Sequence, residues 1–180
     1  MKWQKAVNLV SPNTIPDAWE RHFIDSLQIL PLVPEGARTL YDLGSGAGFP
    51  GLVLAMARPE LSVTLVESDQ KKCAFLSTVS RESKTPVTVK AERIEKAAES
   101  LPAPDVVTAR ALASLSELFE LIEPWAKENP QMVCIFPKGA QAEQELSVSR
   151  ESWAYDSRET ESLTDPRAKI LVITGLSRKG

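Results

Sequence analysis

One histidine, His22, and two cysteines, Cys73 and Cys134, are all that 180 residues offer as soft ligands. A single imidazole and two thiols far apart in sequence assemble neither the His/Cys cluster of a structural zinc site nor a disulfide scaffold, so no metal is expected. No apolar run approaches the roughly 20 residues that span a bilayer, and Met1-Lys2-Trp3-Gln4-Lys5 leads into no signal-type apolar segment. The expected setting is therefore the cytoplasm, with no membrane partner. Positive charge is also in short supply. Against 24 Asp and Glu stand 21 Lys and Arg, a net charge of −3, so any nucleic-acid partner must be held by a local basic surface. Repeats, low-complexity tracts and long Gly/Ser linkers are missing. What is present is ordinary globular composition, 43% hydrophobic and 25% charged, far from that of disordered chains. At roughly 100 to 200 residues per domain, one domain over 1–180 is expected.

The chain divides near residue 34. From Thr14, the residues Ile15, Ala18, Trp19, His22, Phe23, Ser26, Leu27 and Leu30 recur at steps of three and four, the stripe of an amphipathic helix. Thr14 with Asp17 resembles a capping box, and Pro31 and Pro34 stop the helix. Residues 1–34 thus read as a helical segment packed on a sheet core over 38–180. In that core, short aliphatic or β-branched runs at 39–41, 63–66, 87–89, 106–108 and 133–136 alternate with helical stretches near 50–58, 69–84 and 114–126. Such alternation predicts an α/β sandwich, a mostly parallel sheet with helices on both faces. Two further strand-like segments, near 152–160 and 168–176, are too close for a crossover helix. They predict an antiparallel hairpin at the edge, completing seven strands.

Four of the eight glycines fall within Asp42-Leu43-Gly44-Ser45-Gly46-Ala47-Gly48-Phe49-Pro50-Gly51, directly after the first strand and before a helix. Glycines there let backbone approach a ligand, and a nucleotide-like cofactor is expected at the carboxyl ends of the strands, against Gly44 and Gly46. The stretch Gly46 to Gly51 formally matches the dinucleotide fingerprint. However, the glycine that closes the strand is Gly44, and counting from it the helix-packing glycine position holds Phe49. Asp42 also places an anion where a pyrophosphate would lie, whereas S-adenosylmethionine carries a cationic sulfonium and no phosphate. Glu67, closing the second strand, suits ribose hydroxyls of either cofactor. A nicotinamide-dependent reductase and a non-catalytic cofactor- or RNA-binding module stay open at this point.

With Asp42-x-Gly44-x-Gly46 the chain resembles a Rossmann-like class I S-adenosylmethionine-dependent methyltransferase. Further blocks sharpen the resemblance: Lys2 to Leu9, Arg21-His22-Phe23-Ile24-Asp25-Ser26-Leu27, the loop Asp42 to Gly51, Ala109-Arg110-Ala111 and Lys138-Gly139. In this order they resemble the glucose-inhibited division protein B family. That resemblance implies methylation of guanine N7 in 16S ribosomal RNA of the small subunit, with S-adenosylmethionine as cofactor. It also implies cofactor contacts at Gly44, Phe49, Ile94, Glu95 and Arg110, with Glu67 on the ribose. Taken alone, Ile94 reads as a core helix residue and Glu95 as a solvated charge.

The residues narrow the nucleophile independently. After the fourth strand stands Thr108-Ala109-Arg110-Ala111, not the (D/N)-P-P-(Y/F) segment expected for exocyclic amines. Cys134 lies inside an apolar strand and reads as a buried hydrophobe. Guanine N7 fits both absences, because its lone pair is already an acceptor and in-line attack needs no obligatory catalytic base. N7 lies in the deep, narrow groove of A-form RNA, so the target must be looped or flipped out. Candidate positioning residues are Arg110, His22 and Lys138. His22 reads either as a satisfied core residue or as part of the active-site mouth. Arg21 and Asp25, spaced i and i+4, suit an exposed ion pair, and the resemblance makes Arg21 a phosphate contact. Lys71 and Lys72 stand either at the RNA rim or on a solvated helix face. Lys138, at the end of the fifth strand, is better explained by RNA phosphate than by packing.

Overall fold

Alternating strand and helix become an α/β sandwich in the computed structural model, which describes residues 2–180. The strands are β1 (Thr39–Leu43), β2 (Ser62–Val66), β3 (Thr88–Lys90), β4 (Val106–Ala109), β5 (Val133–Lys138), β6 (Trp153–Glu161) and β7 (Lys169–Arg178). They form one seven-stranded sheet in the order β3-β2-β1-β4-β5-β7-β6. β1 to β5 are parallel, and β7 runs antiparallel to both β5 and β6. The expected seven-stranded, mostly parallel architecture with its antiparallel edge is what forms. Strand order reverses between β1 and β4, which opens a crevice outside their carboxyl ends.

Alternation along each strand feeds two apolar clusters, one per face. Tyr41, Leu43, Val107, Ala109, Cys134, Phe136, Leu171 and Ile173 face one cluster. Leu40, Leu65, Val106, Ile135 and Ile170 face the other. Seven α-helical segments accompany the strands among the described residues: α1 (Lys2–Val7), α2 (Asp25–Leu27), α3 (Gly51–Ala57), α4 (Gln70–Ser83), α5 (Ile94–Ser100), α6 (Leu115–Glu128) and α7 (Ala142–Ser152). Asp69 caps α4 by accepting from Lys71 N and Lys72 N. Ser114 and Glu117 form a reciprocal capping box on α6. α7 has no counterpart among the expected helices, and α5 is anticipated only at Ile94, read as a core helix residue. α7 buries only Ala142, Leu146 and Ser149, a stripe with one large apolar residue and hence little periodic signal.

The N-terminal segment departs from the continuous helix that its periodicity suggests. Short 3-10 turns at Pro12–Thr14 and Leu30–Leu32 bracket a π-helical turn at Trp19–Ile24 that runs into α2. Thr14 is not a cap: its hydroxyl donates to Ser11 O at 2.7 Å and meets His22 Nε2 at 2.8 Å. The π turn also undoes the expected Arg21–Asp25 pair, because its wider winding rotates the i+4 residue away. Asp25 instead pairs with Arg110 at 3.0 Å, and Arg21 lies 3.8 Å from Asp165. Ile29 and Val33, at the end of the segment, are buried against the α3 side of the sheet.

α3 approaches β1 closely enough to require glycine at its first residue. A Cβ on Gly51 would stand 2.5 Å from Asp42 Cβ and 2.6 Å from Leu65 Cδ2. Gly51 thus performs the helix-packing role that the count from Gly44 placed at Phe49. Gly51→Ala is expected to cost about 1–3 kcal/mol by overpacking. A urea titration checks this, and an unchanged midpoint would contradict it.

Candidate functional site

The loop from β1 to α3 turns on left-handed backbone at Gly44 (φ 62°) and Gly46 (φ 55°), conformations that a side chain makes costly. Glu67, which follows β2 and is 7% exposed, fastens this loop. Its Oε2 accepts from Gly46 N at 2.9 Å and its Oε1 from Asp69 N at 2.8 Å. Below the loop, Asp42 is fully buried. Its Oδ2 accepts from Gly51 N at 3.2 Å, and Oδ1 has no hydrogen-bond partner among the described residues. Burial pushes its carboxyl up to about 7, against the opposing pull of Gly51 N and Arg110.

Two cavities open at the carboxyl ends of the strands. The first, about 350 Å³, is lined by Gly44, Glu67, Lys72, Ile94, Glu95 and Leu112, among others. A cradle of glycine backbone beside a buried carboxylate suits a cofactor with ribose hydroxyls and a cationic centre, and a phosphate-bearing one less well. The second, about 420 Å³, lies over β4 and β5 and is lined by Arg21, His22, Asp25, Arg110, Lys138 and Glu145, among others. Ala111 and Ala113 line both, so the two cavities adjoin along this segment. Ala111 itself has φ 51°, an uncommon conformation for a residue with a Cβ. Next to it, Leu112 closes over Gly44: a Cβ there would meet Leu112 Cδ1 at 2.6 Å.

Arg110 joins the sheet to the N-terminal segment. Nη1 donates to Asp25 Oδ2 at 3.0 Å and to Arg21 O at 3.2 Å, Nη2 donates to His22 Nδ1 at 3.1 Å, and the guanidinium lies 5.3 Å from the Phe49 ring centre. Guanidinium only donates, so Nδ1 of His22 is an acceptor and Nε2 carries the proton toward Thr14 Oγ1. Burial and the neighbouring Arg110 lower the pKa of His22. The histidine is neutral with both nitrogens used, which favours the satisfied core residue.

The sequence-derived candidates divide between the cavities. Gly44, Glu67, Ile94 and Glu95 come together around the first. Gly46 adjoins it through Glu67, whereas Phe49 turns away to stack on His22, with 5.1 Å between ring centres. Arg110, expected at the cofactor, faces the second cavity and pairs with Asp25 at 3.0 Å. Lys72, expected at an RNA rim, lines the first cavity, and Lys71 is exposed at the start of α4. Lys138 is packed more closely than a free phosphate contact would require. Its side chain is 8% exposed, and its ammonium donates to Ala113 O at 2.7 Å and Glu145 Oε2 at 2.8 Å, so two of its three N–H groups have partners within the fold. Sequence reasoning missed Glu145 and Thr164. Thr164 donates to Asp25 Oδ1 at 2.6 Å across 139 residues, a contact with no local signal.

Among the described residues, no helix is long and apolar enough to cross a membrane, and no group of three or more His, Cys, Asp or Glu could hold a metal ion. The sheet order, the glycine cradle and the acidic residue closing β2 define a class I methyltransferase. Solved structures agree in fold: the O-methyltransferase TomG from Streptomyces achromogenes, in complex with SAM, superposes with a TM-score of 0.63 at 13% identity, covering 96% of this chain and 86% of that one. A family model described as rRNA small subunit methyltransferase G matches residues 1–172, and the chain belongs to that family. Relatives named Ribosomal RNA small subunit methyltransferase G include that of Paramagnetospirillum magneticum, 51% identical over 99% of this chain and 84% of the relative. That of Rhodospirillum centenum is 49% identical over 99% and 81%. The nicotinamide reductase is not favoured by these matches.

The buried Asp42 generates a pH prediction. Unfolded, an aspartate titrates near 4, and in the fold Asp42 titrates at about 7. The folded state therefore holds the proton more tightly. This contribution to stability is complete below about pH 4 and is lost as pH rises through about 7. Asp42→Asn, which keeps an oxygen for Gly51 N, is expected to flatten the decline. Urea midpoints of both proteins at about pH 5 and about pH 8 check it, and parallel profiles would refute it.

Proposed function

We propose that the protein methylates N7 of a guanine in 16S ribosomal RNA, with S-adenosylmethionine as donor. We place it in the cytoplasm, where small subunits are made, acting as one methyltransferase domain over residues 1–180. Family membership supports the reaction, and the observation that carries the site assignment is the pair of cavities that adjoin at their shared lining residues Ala111 and Ala113.

Bound against Gly44, S-adenosylmethionine supplies an electrophilic methyl group. Glu67 would hold its ribose, because each carboxylate oxygen retains a lone pair after accepting from Gly46 N and Asp69 N. Ile94 and Glu95 would border the same ligand, and the buried Asp42 carboxylate favours a cation nearby. The adjoining second cavity receives the base. N7 brings its own lone pair, so holding the reactants in line supplies most of the rate. The engaged state of His22, with neither nitrogen free, suits a reaction without a general base. Arg21, with 47% of its side chain exposed at the rim of the second cavity, is placed for RNA phosphate, as is the exposed Lys71.

Incubating the protein with labelled S-adenosylmethionine and undermodified small-subunit RNA, then mapping the product, is expected to yield 7-methylguanine. Any other product sinks the reading. Arg21→Ala is expected to weaken RNA binding and lower the salt slope by about one without changing cofactor affinity. An unaltered slope removes Arg21 from the RNA surface.

A further inference from the structure

The second cavity contains a donor and an acceptor side by side, each with hydrogen-bonding capacity left over. Lys138 Nζ has three N–H groups and spends two, on Ala113 O and Glu145 Oε2. Glu145 Oε2 accepts twice, from Lys138 Nζ and from Leu115 N at 2.7 Å, whereas Oε1 has no partner among the described residues. Both residues line the cavity. Their side chains are only 8% and 21% exposed, so a mismatched partner would leave a poorly solvated group unpaired. The other cavity carboxylates are occupied. Asp25 accepts from Arg110, Gln28 and Thr164, and Asp165 accepts from Arg167.

Guanine presents O6, an acceptor, next to N1–H, a donor, and adenine reverses both. An ammonium beside a carboxylate oxygen complements the first pattern and opposes the second. Position agrees as well. β4 separates β5, which ends in Lys138, from β1, which leads to Gly44. Two strand spacings are about 10 Å, room for a purine read on its Watson–Crick edge from β5 while its N7 side faces the cofactor cleft.

We propose that this cavity seats the target guanine and that Lys138 and Glu145 select it, Lys138 donating to O6 and Glu145 Oε1 accepting from N1–H. The proposal rests on the guanine N7 reading above, and it gives the buried Lys138 a base edge to recognise in place of a phosphate.

Glu145→Gln tests it. The amide oxygen keeps the contacts to Leu115 N and Lys138 Nζ, and an N–H2 replaces the free acceptor. With small-subunit RNA lacking the modification, kcat/KM is expected to fall by about 10- to 100-fold, with S-adenosylmethionine affinity and thermal midpoint unchanged. An unchanged kcat/KM overturns the proposal. So does a fall matched by lost cofactor affinity or by a thermal midpoint low enough to account for it, since Glu145 then acts only through structure. A second measurement uses the unaltered protein. Inosine 5′-monophosphate, which keeps O6 and N1–H, is expected to compete with RNA as well as guanosine 5′-monophosphate does, both at least about tenfold better than adenosine 5′-monophosphate. Equal inhibition by all three overturns the proposal even if the wild-type product is 7-methylguanine. Failure to form that product at all would instead refute the functional reading beneath it.

Discussion

The site depends on one carboxylate holding the backbone of a neighbouring loop. Glu67, at the end of β2, accepts from the N–H of Gly46 beyond the end of β1. The bond crosses from one parallel strand to the next beside the point where strand order reverses between β1 and β4, and it stabilises left-handed backbone that only glycine adopts cheaply. The loop thereby leaves an open cleft above the sheet while Asp42 and Gly51 seal the space below it. Burying Asp42 raises the cost of its charge, which lifts its carboxyl to about 7.

A second set of polar contacts turns a cofactor fold into one with a separate base pocket. Arg110, at the end of β4, reaches Asp25, Arg21 O and His22 in the N-terminal segment. Asp25 in turn accepts from Thr164, in the connection between β6 and β7. Three parts of the chain thus meet over β4 and β5 and enclose the second cavity. The π turn at Trp19–Ile24 matters here. In an α-helix Asp25 would sit over Arg21, whereas the wider winding turns it toward Arg110.

Much of the fold was legible because periodicity reports burial directly. β1 to β5, α3 and α6 carry apolar runs or stripes, α4 the sparser set Cys73, Phe75, Leu76 and Val79, and the spacing around Thr164-Asp165-Pro166 revealed the edge hairpin. α7 was not legible, since Leu146 is the one large apolar side chain on its buried face, and of α5 only Ile94 reads as helical. In the site, Gly44 and Glu67 were found from loop chemistry, and Ile94 and Glu95 only through family resemblance. For Lys138 the place at the ligand-bearing sheet edge was legible, whereas its carboxylate partner Glu145 on α7 was not, because the pairing joins two separate elements.

By itself, the sequence determined the layered α/β architecture, the position of the cofactor loop and the family, because these rest on local periodicity and on contiguous motifs. Tertiary structure alone decided what each charge does. The partnerships Arg110–Asp25, Lys138–Glu145 and Asp25–Thr164 join residues from separate elements. A charged group takes its role from whichever opposite charge or backbone carbonyl the fold brings within about 3 Å, and residue order does not encode that distance.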